Sequence, residues 1–164
     1  MNLPPPVDRW VDVALAPEQA FELFTRQMRR WWPFVGHSCS DAAGADVVFE
    51  PRVGGRVTEH APDGATFLWG HLTEWDPPHG FAMRWHPGLP AEVATRLVVR
   101  FEPQGGGSRV RVRHDGWEAR GAHAAEKRDQ YDHGWPHTLA AFAALAASAA
   151  LAGPAAPAAS KEGS

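Results

Sequence analysis

The stretch from residue 121 to residue 151 is the longest part of the sequence with helical periodicity. Its apolar side chains recur at spacings of three and four and share one helical face: Tyr131, Trp135, Leu139, Phe142, Leu145 and Ala149. Charged residues fall mostly off this face. A helix with one apolar face must bury it against another layer. The stretch therefore predicts a long C-terminal helix around which the rest of the chain is arranged.

Two residues inside this stretch disturb the helical pattern, namely Gly134 and Pro136. A proline lacks the backbone N–H donor, and its ring presses against the preceding turn. The sequence therefore predicts a kink or a restart of the helix near Trp135.

The layer opposite the helix is predicted to be an antiparallel sheet. Strand patterns recur at residues 47–50, 56–60, 65–75, 81–86, 93–102 and 109–115. The separators between them are short, which selects hairpins over helical crossovers. With a first strand at residues 9–15, the sheet has about seven strands. On the last two strands the apolar residues share one face, and the other face carries arginines, which we expect to meet solvent: Arg96, Arg100, Arg109, Arg111 and Arg113.

Two short helices are predicted after the first strand, because Pro17 suits an early helical position and Pro33 ends the segment. The predicted fold is thus α+β, with a curved antiparallel sheet of about seven strands wrapped around the long C-terminal helix. Residues 1–8 are expected to be an N-terminal extension, 9–151 the domain, and 152–164 a disordered tail rich in alanine and proline.

The composition limits the classes of partner. The 164 residues, 44% of them hydrophobic, suit one core, and a net charge of −3 argues against nucleic acid or an anionic membrane as the partner. A single cysteine excludes an internal disulfide. With no secretory signal or membrane-spanning run in the sequence, the expected location is cytoplasmic. The sequence does not distinguish a monomer from a homodimer.

Four segments in order resemble one known family: 49–56 (FEPRVGGR), 69–78 (WGHLTEWDPP), 109–117 (RVRVRHDGW) and 134–139 (GWPHTL). Over roughly residues 11 to 145 the chain resembles homologues of the activator of the heat-shock-protein-90 ATPase, a family of the START-like (SRPBCC) helix-grip superfamily. The resemblance implies the helix-grip fold. It implies a range of functions, because the superfamily includes lipid carriers, polyketide cyclases and aromatases, and the co-chaperone domain itself.

A sheet wrapped around a helix commonly leaves a gap between the layers, and aromatic residues are suited to line it. The candidate ligand-pocket residues are Phe49, Trp69, His71, Met83, Trp85, Tyr131 and Trp135. On a two-residue period His71 shares a face with Trp69, so its side chain is expected to point inward. The alternative is that these side chains simply pack the core.

Several other residues have side chains that could take part in catalysis or metal binding. His71, His114 and Glu74 are the strand residues best placed for acid–base work, although an inward histidine is more often hydrogen-bonded in a core. His133 and His137, with Asp129, have the spacing of metal ligands, but a solvated polar face explains them equally well. Cys39 near His37 lies in a loop without the geometry of a catalytic pair. We therefore predict no catalytic residue, metal or cofactor.

Three functions follow as hypotheses. The first is binding of a small apolar or amphipathic molecule between the sheet and the long helix. The second, implied by the resemblance, is a co-chaperone-like interaction in the stress response, although a chain of 164 residues leaves no room for the extra N-terminal chaperone-binding domain of the eukaryotic activator. The third is an enzyme of the polyketide cyclase or aromatase kind.

Overall fold

A computed structural model describes residues 3–152 of the chain. The strands are β1 (Val7–Val13), β2 (Asp46–Phe49), β3 (Arg56–His60), β4 (Thr66–Asp76), β5 (Gly80–Trp85), β6 (Thr95–Gln104) and β7 (Gly107–Asp115). The helices are α1 (Pro17–Arg26), the short turn α2 (Phe34–His37) and α3 (Ala124–Leu151), with 3₁₀ turns at Met28–Arg30, Ala91–Val93 and Trp117–His123. Apart from Ala152, the predicted tail lies outside the described residues. None of the described helices is long and apolar enough to cross a membrane.

The seven strands form one sheet in the order β1-β7-β6-β5-β4-β3-β2, with every neighbouring pair antiparallel. This arrangement, with α3 against the sheet, confirms the predicted α+β helix-grip fold. β1 begins at Val7, two residues before the predicted start of the first strand. Val7 is fully buried and pairs with His114, so this part of the expected extension belongs to the sheet.

The two faces of the sheet have the predicted polarity. On β6, Thr95, Leu97 and Val99 point into the core and are at most 2% exposed. On the outer face, Arg109 and Arg111 pair with Asp12 and Asp8 of β1 and lie over the ring of Trp10. The arginines are therefore balanced by carboxylates, as expected for a solvated face.

Helix α3 runs through Pro136 without interruption, so the predicted restart near Trp135 is wrong. Losing one backbone hydrogen bond at a proline costs about 3 kcal/mol. Pro136 lies on the exposed side of the helix, whereas Trp135, Leu139 and Phe142 on the opposite side are buried. Each buried side chain of this size contributes about 1.5–3 kcal/mol, so the packing outweighs the missing bond.

The C-terminal half of α3 packs against α1 and the 3₁₀ turn that follows α1. Phe142 lies 5.3 Å from Phe24 and 5.0 Å from Trp31, measured between ring centroids. Phe24 in turn contacts Phe81 and Phe101 of the sheet. Aromatic rings thus fill the concave face of the sheet at this end of the helix.

The connection between β2 and β3 depends on two glycines for different reasons. Gly54 has a φ of +84°, in the left-handed region, and a Cβ added there would meet nothing within 4 Å. A Cβ added to Gly55 would clash with the carbonyl oxygen of Glu50. Gly54 is therefore required by its backbone conformation, and Gly55 by the close approach of another backbone segment.

These two glycines give a matched pair of variants. Gly54→Ala is expected to lower the free energy of unfolding by about 1 kcal/mol, the cost of left-handed backbone in a non-glycine residue. Gly55→Ala is expected to cost more than about 2 kcal/mol, because backbone must move to relieve the clash. Urea unfolding of both variants measures the difference, and a Gly55→Ala variant as stable as the wild type would contradict the close contact.

Candidate ligand-binding cavity

A cavity of about 490 Å³ lies between the sheet and the N-terminal half of α3. This volume falls within the range of about 300–1,000 Å³ that is usual for small-molecule sites. The indole rings of four tryptophans line it: Trp32, Trp69, Trp85 and Trp135. The polar side chains in its lining are His37, Ser38, Cys39, Arg120, Lys127, Gln130, Tyr131 and Thr138. The cavity is therefore an apolar space with a few convergent polar groups.

The four indoles contact one another, which fixes the shape of the cavity. The ring centroid of Trp32 lies 5.2 Å from that of Trp69 and 5.9 Å from that of Trp135. Trp85 lies 5.3 Å from Trp69 and 5.8 Å from Trp135. All four pairs are tilted or edge-on, the arrangements that aromatic rings prefer. The indoles thus give the cavity an aromatic wall that can contact an aromatic ligand.

Tyr131 presents a hydroxyl group to the cavity. Its oxygen accepts a hydrogen bond of 2.9 Å from the indole N–H of Trp85. Burial raises the pKa of Tyr131. The hydrogen bond from Trp85 and the charge of Arg120 lower this pKa, but by less than burial raises it, so the net change is upward. The hydroxyl is thus protonated at neutral pH and can donate a hydrogen bond to a ligand.

Arg120 places a cation at the same cavity. Its Nε atom donates to the carbonyl oxygen of Val93 at 2.9 Å, which fixes the guanidinium group. One terminal nitrogen of the group, NH2, is buried and has no hydrogen-bond partner within residues 3–152. A buried donor without a partner is costly. Other atoms of Arg120 belong to the lining, so its positive charge acts on a molecule in the cavity.

The loop that closes one side of the cavity is held by the buried carboxylate of Glu59. Its two oxygens accept hydrogen bonds from the backbone N–H groups of Cys39 and Ser40, at 2.9 and 3.0 Å, and from the indole of Trp69 at 2.9 Å. Burial by itself would raise the pKa of Glu59, but these hydrogen bonds outweigh it and lower the pKa. Glu59 therefore fixes the loop and one tryptophan of the lining.

The loop contributes Cys39 and His37 to the lining. Burial, together with the neighbouring charge of Glu59, raises the pKa of the Cys39 thiol to about 11, so the thiol is protonated and unreactive. The His37 ring stacks on that of His137 at 4.9 Å. Burial and the proximity of His137 lower the pKa of His37, which favours a neutral imidazole at pH 7.

His114 lies behind the lining and links the sheet to α3. Its Nδ1 atom accepts from the indole of Trp135 at 3.1 Å, so its Nε2 carries the proton and donates to the Thr95 hydroxyl at 2.7 Å. The Thr95 hydroxyl then donates to the carbonyl of Trp85 at 3.3 Å. Burial is the main cause that lowers the pKa of His114 to about 3. His114 points inward as predicted, and these bonds give it a structural role.

Four of the seven predicted pocket residues line the cavity: Trp69, Trp85, Tyr131 and Trp135. Phe49 lies elsewhere on the sheet, 5.3 Å from Phe81. Met83 is buried, with its terminal methyl group against Gly70. Neither Phe49 nor Met83 contributes to the lining.

The expectation that His71 points inward is wrong, because its side chain is exposed. The strict two-residue alternation fails in β4, where the pairing shifts once between Val57 and Thr58 of β3 and again between Leu72 and Glu74. Each bulge inserts a residue and turns the following side chains to the other face. Glu74 also lies on the outer face, where it pairs with Arg100 at 3.0 Å.

The histidine pair of α3 is not arranged as a metal site. The ring of His133 is hydrogen-bonded to the carbonyl of Asp129, and His137 stacks on His37. No group of three or more side chains among residues 3–152 has the geometry to hold a metal ion.

Sequence reasoning did not select Trp32, His37, Arg120 or Lys127 for the cavity. Arg120 lies in the 3₁₀ turn Trp117–His123, which shows no periodicity to orient its side chain. His37 and Trp32 flank a loop whose path depends on the buried Glu59. The one signal available was Pro33, which ends the first helical segment and places both residues at a turn.

The chain matches the family described as "Activator of Hsp90 ATPase homolog 1-like protein" over residues 14–147. The chain therefore belongs to this family, as the resemblance implied. No curated protein sequence matches it significantly.

Solved structures with the same fold include proteins of different kinds. The anthrahydroquino-γ-pyrone synthase Txn09 is 35% identical, with a TM-score of 0.60 and coverage of 88% of this chain and 99% of that one. Protein MLL2253 from Mesorhizobium loti is 16% identical, with a TM-score of 0.63 and coverage of 85% and 95%. The Aha1 dimer from Colwellia psychrerythraea is 15% identical, with a TM-score of 0.59 and coverage of 84% and 92%. The last two likenesses show the fold alone.

The environment of Cys39 predicts slow thiol chemistry. A rise in pKa from 9.0 to about 11 reduces the thiolate about 100-fold at neutral pH. A more basic thiolate is a stronger nucleophile, which offsets part of the loss in rate. The reaction is therefore expected to be about tenfold slower than that of a cysteine peptide. Ellman's reagent at pH 7.5 measures the rate. Glu59→Gln is expected to accelerate it, and a wild-type rate equal to that of the peptide would contradict the burial of the thiol.

His114 predicts a loss of stability in acid. Its folded pKa of about 3 lies below the ordinary histidine pKa of 6.5, so the unfolded chain binds more protons between these pH values. Stability from this group is complete above pH 6.5 and is lost as the pH falls toward 3, by about 2.5 kcal/mol between pH 7 and 4.5. Urea unfolding at both pH values is expected to show a smaller drop for His114→Gln than for the wild type. An exposed control, His71→Gln, is expected to keep the full drop, and equal drops in all three proteins would contradict the assignment.

Proposed function

We propose that the protein binds a planar aromatic molecule of the polyketide type in the cavity and closes an oxygen-containing ring on it. The observation that carries the proposal is a cavity that brings four indoles together with the Tyr131 hydroxyl and the Arg120 guanidinium. Indole rings suit contact with a fused ring system, and the two donors suit a ketone oxygen. The 35% identity to a synthase of anthrahydroquino-γ-pyrones supports this class of reaction.

The chemistry that these groups suit is addition of a phenol oxygen to a carbon conjugated to a ketone. The phenol loses its proton to water, its oxygen forms the new C–O bond, and the electron pair displaced from the carbon–carbon multiple bond moves onto the ketone oxygen. Water then returns a proton to the resulting enolate, so the reaction is an isomerisation without net oxidation or reduction. Negative charge develops on the ketone oxygen in the transition state, and hydrogen-bond donors placed there lower the barrier.

The cavity favours this step through position and electrostatics. The indoles hold the fused rings in one plane, which limits the conformations of the reacting side chain. Tyr131 stays protonated because of its burial, so it acts as a donor at neutral pH. The guanidinium of Arg120 is held in place by its hydrogen bond to the Val93 carbonyl. Loss of one such donor typically lowers kcat about 100- to 1,000-fold.

The test uses an anthraquinone that carries a phenol beside an alkynyl ketone, and it follows pyrone formation by chromatography and absorbance. The wild type is expected to accelerate closure over buffer. Tyr131→Phe and Arg120→Gln are expected to lower kcat about 100-fold or more with smaller effects on KM. His71→Gln, on the outer face, is the matched control and is expected to keep the wild-type rate.

Two results would separate the alternatives. Tight binding of this compound without acceleration would remove the enzymatic part and leave the hypothesis of ligand binding alone. If the protein shows neither binding nor acceleration, the proposal as a whole is contradicted.

The co-chaperone hypothesis stays a prediction, since the likeness to the Aha1 dimer at 15% identity is one of fold.

A further inference from the structure

We propose that the cavity selects its ligand in the anionic form, as an aromatic phenolate whose charge is balanced by Arg120 and Lys127. This inference rests on the proposed function and names the ionisation state of the ligand. It follows from the charges around the cavity, which are unevenly distributed. Among the described residues the lining contains these two cations and no aspartate or glutamate.

Of the two cations, Arg120 is expected to contribute more to the selection of an anionic ligand. Its guanidinium is held by the Val93 carbonyl, which bears no formal charge, and its NH2 nitrogen is buried without a hydrogen-bond partner in residues 3–152. Its charge contributes to lowering the pKa of His114 on β7 and opposes the rise in the pKa of Tyr131 on α3. Arg120 is partly buried and has no ion pair within residues 3–152, and an anionic ligand would supply a counter-ion.

The other titratable groups at the cavity do not offset this positive charge. Tyr131 on α3 and Cys39 on the loop have raised pKa values, so both stay uncharged at neutral pH. His37 has a lowered pKa and is favoured as the neutral imidazole. Glu59, behind the loop, is the nearest carboxylate, and it is hydrogen-bonded to the N–H groups of Cys39 and Ser40 and to a lining indole.

The remaining lining decides which kind of anion fits. Phosphate and other small inorganic anions would leave the four indoles without contacts, because the indoles form most of the apolar wall. A fused aromatic ring covers them, and an ionised oxygen on that ring lies in the positive field of Arg120 and Lys127. A phenolate is also the nucleophile that ring closure requires, so selection of the anion would prepare the ligand for reaction.

The test uses 2-hydroxyanthraquinone, whose phenol and phenolate forms absorb at different visible wavelengths. Its ionisation is titrated by absorbance when free and when bound to the protein, with 2-methoxyanthraquinone as the neutral control ligand. Bound to the wild type, the phenol is expected to ionise about one pH unit lower than when free. One unit corresponds to about tenfold tighter binding of the phenolate than of the phenol.

Three variants assign the effect. Arg120→Gln is expected to remove most of the shift while still binding the methoxy compound, which also shows that the variant is folded. Lys127→Gln is expected to give a smaller reduction, and Arg120→Lys, which retains the charge, to keep most of the shift. If Arg120→Gln does not fold, the shifts measured for Lys127→Gln and Arg120→Lys are compared to show which cation causes the effect.

The outcomes separate this inference from the proposed function. If both compounds bind and the ionisation of the hydroxyl compound is unchanged or moves to higher pH, the selection of anions is overturned and aromatic binding stands. If neither compound binds, the proposed function fails, and the inference fails with it. A shift that survives Arg120→Gln intact would overturn the role of Arg120.

Discussion

The structure depends on how one helix is seated in the concave face of one sheet. Trp135, Leu139 and Phe142 of α3 are buried against the sheet along a single stripe. Helix α1 and the turn after it pack beside the C-terminal half of α3, where Phe24 meets Phe142. Beside the N-terminal half, four indoles that contact one another lie between the two layers and line the cavity.

Buried polar groups hold the walls of that space in place. The hydrogen bonds from Trp135 through His114 to Thr95 tie α3 to the sheet, and Glu59 ties the loop at Cys39 to the indole of Trp69. Such networks are stabilising only when every member has a partner. Within residues 3–152 the NH2 group of Arg120 is an exception, because it is buried without a hydrogen-bond partner.

The fold could be predicted from the sequence because alternation and turn residues are local signals. The predicted strand 56–60 matches β3, and the other strands of the sheet are displaced by two residues or fewer at either end. The orientation of His71 could not be predicted, since the bulges of β4 arise from pairing with β3 and β5. Arg120 was missed because no periodicity orients a side chain in a 3₁₀ turn. The continuity of α3 at Pro136 reflects tertiary packing, which local propensity does not contain.

A planar ligand bound among the indoles between the sheet and α3 would change the surroundings of their N–H groups. The indole N–H signals of a ¹⁵N-labelled sample are recorded by NMR during titration with 2-hydroxyanthraquinone. We expect shifts for Trp32, Trp69, Trp85 and Trp135, whose indoles line the cavity, and none for Trp10 on the outer face. Shifts at Trp10 with the four cavity signals unchanged would show that the ligand binds elsewhere and not among these indoles.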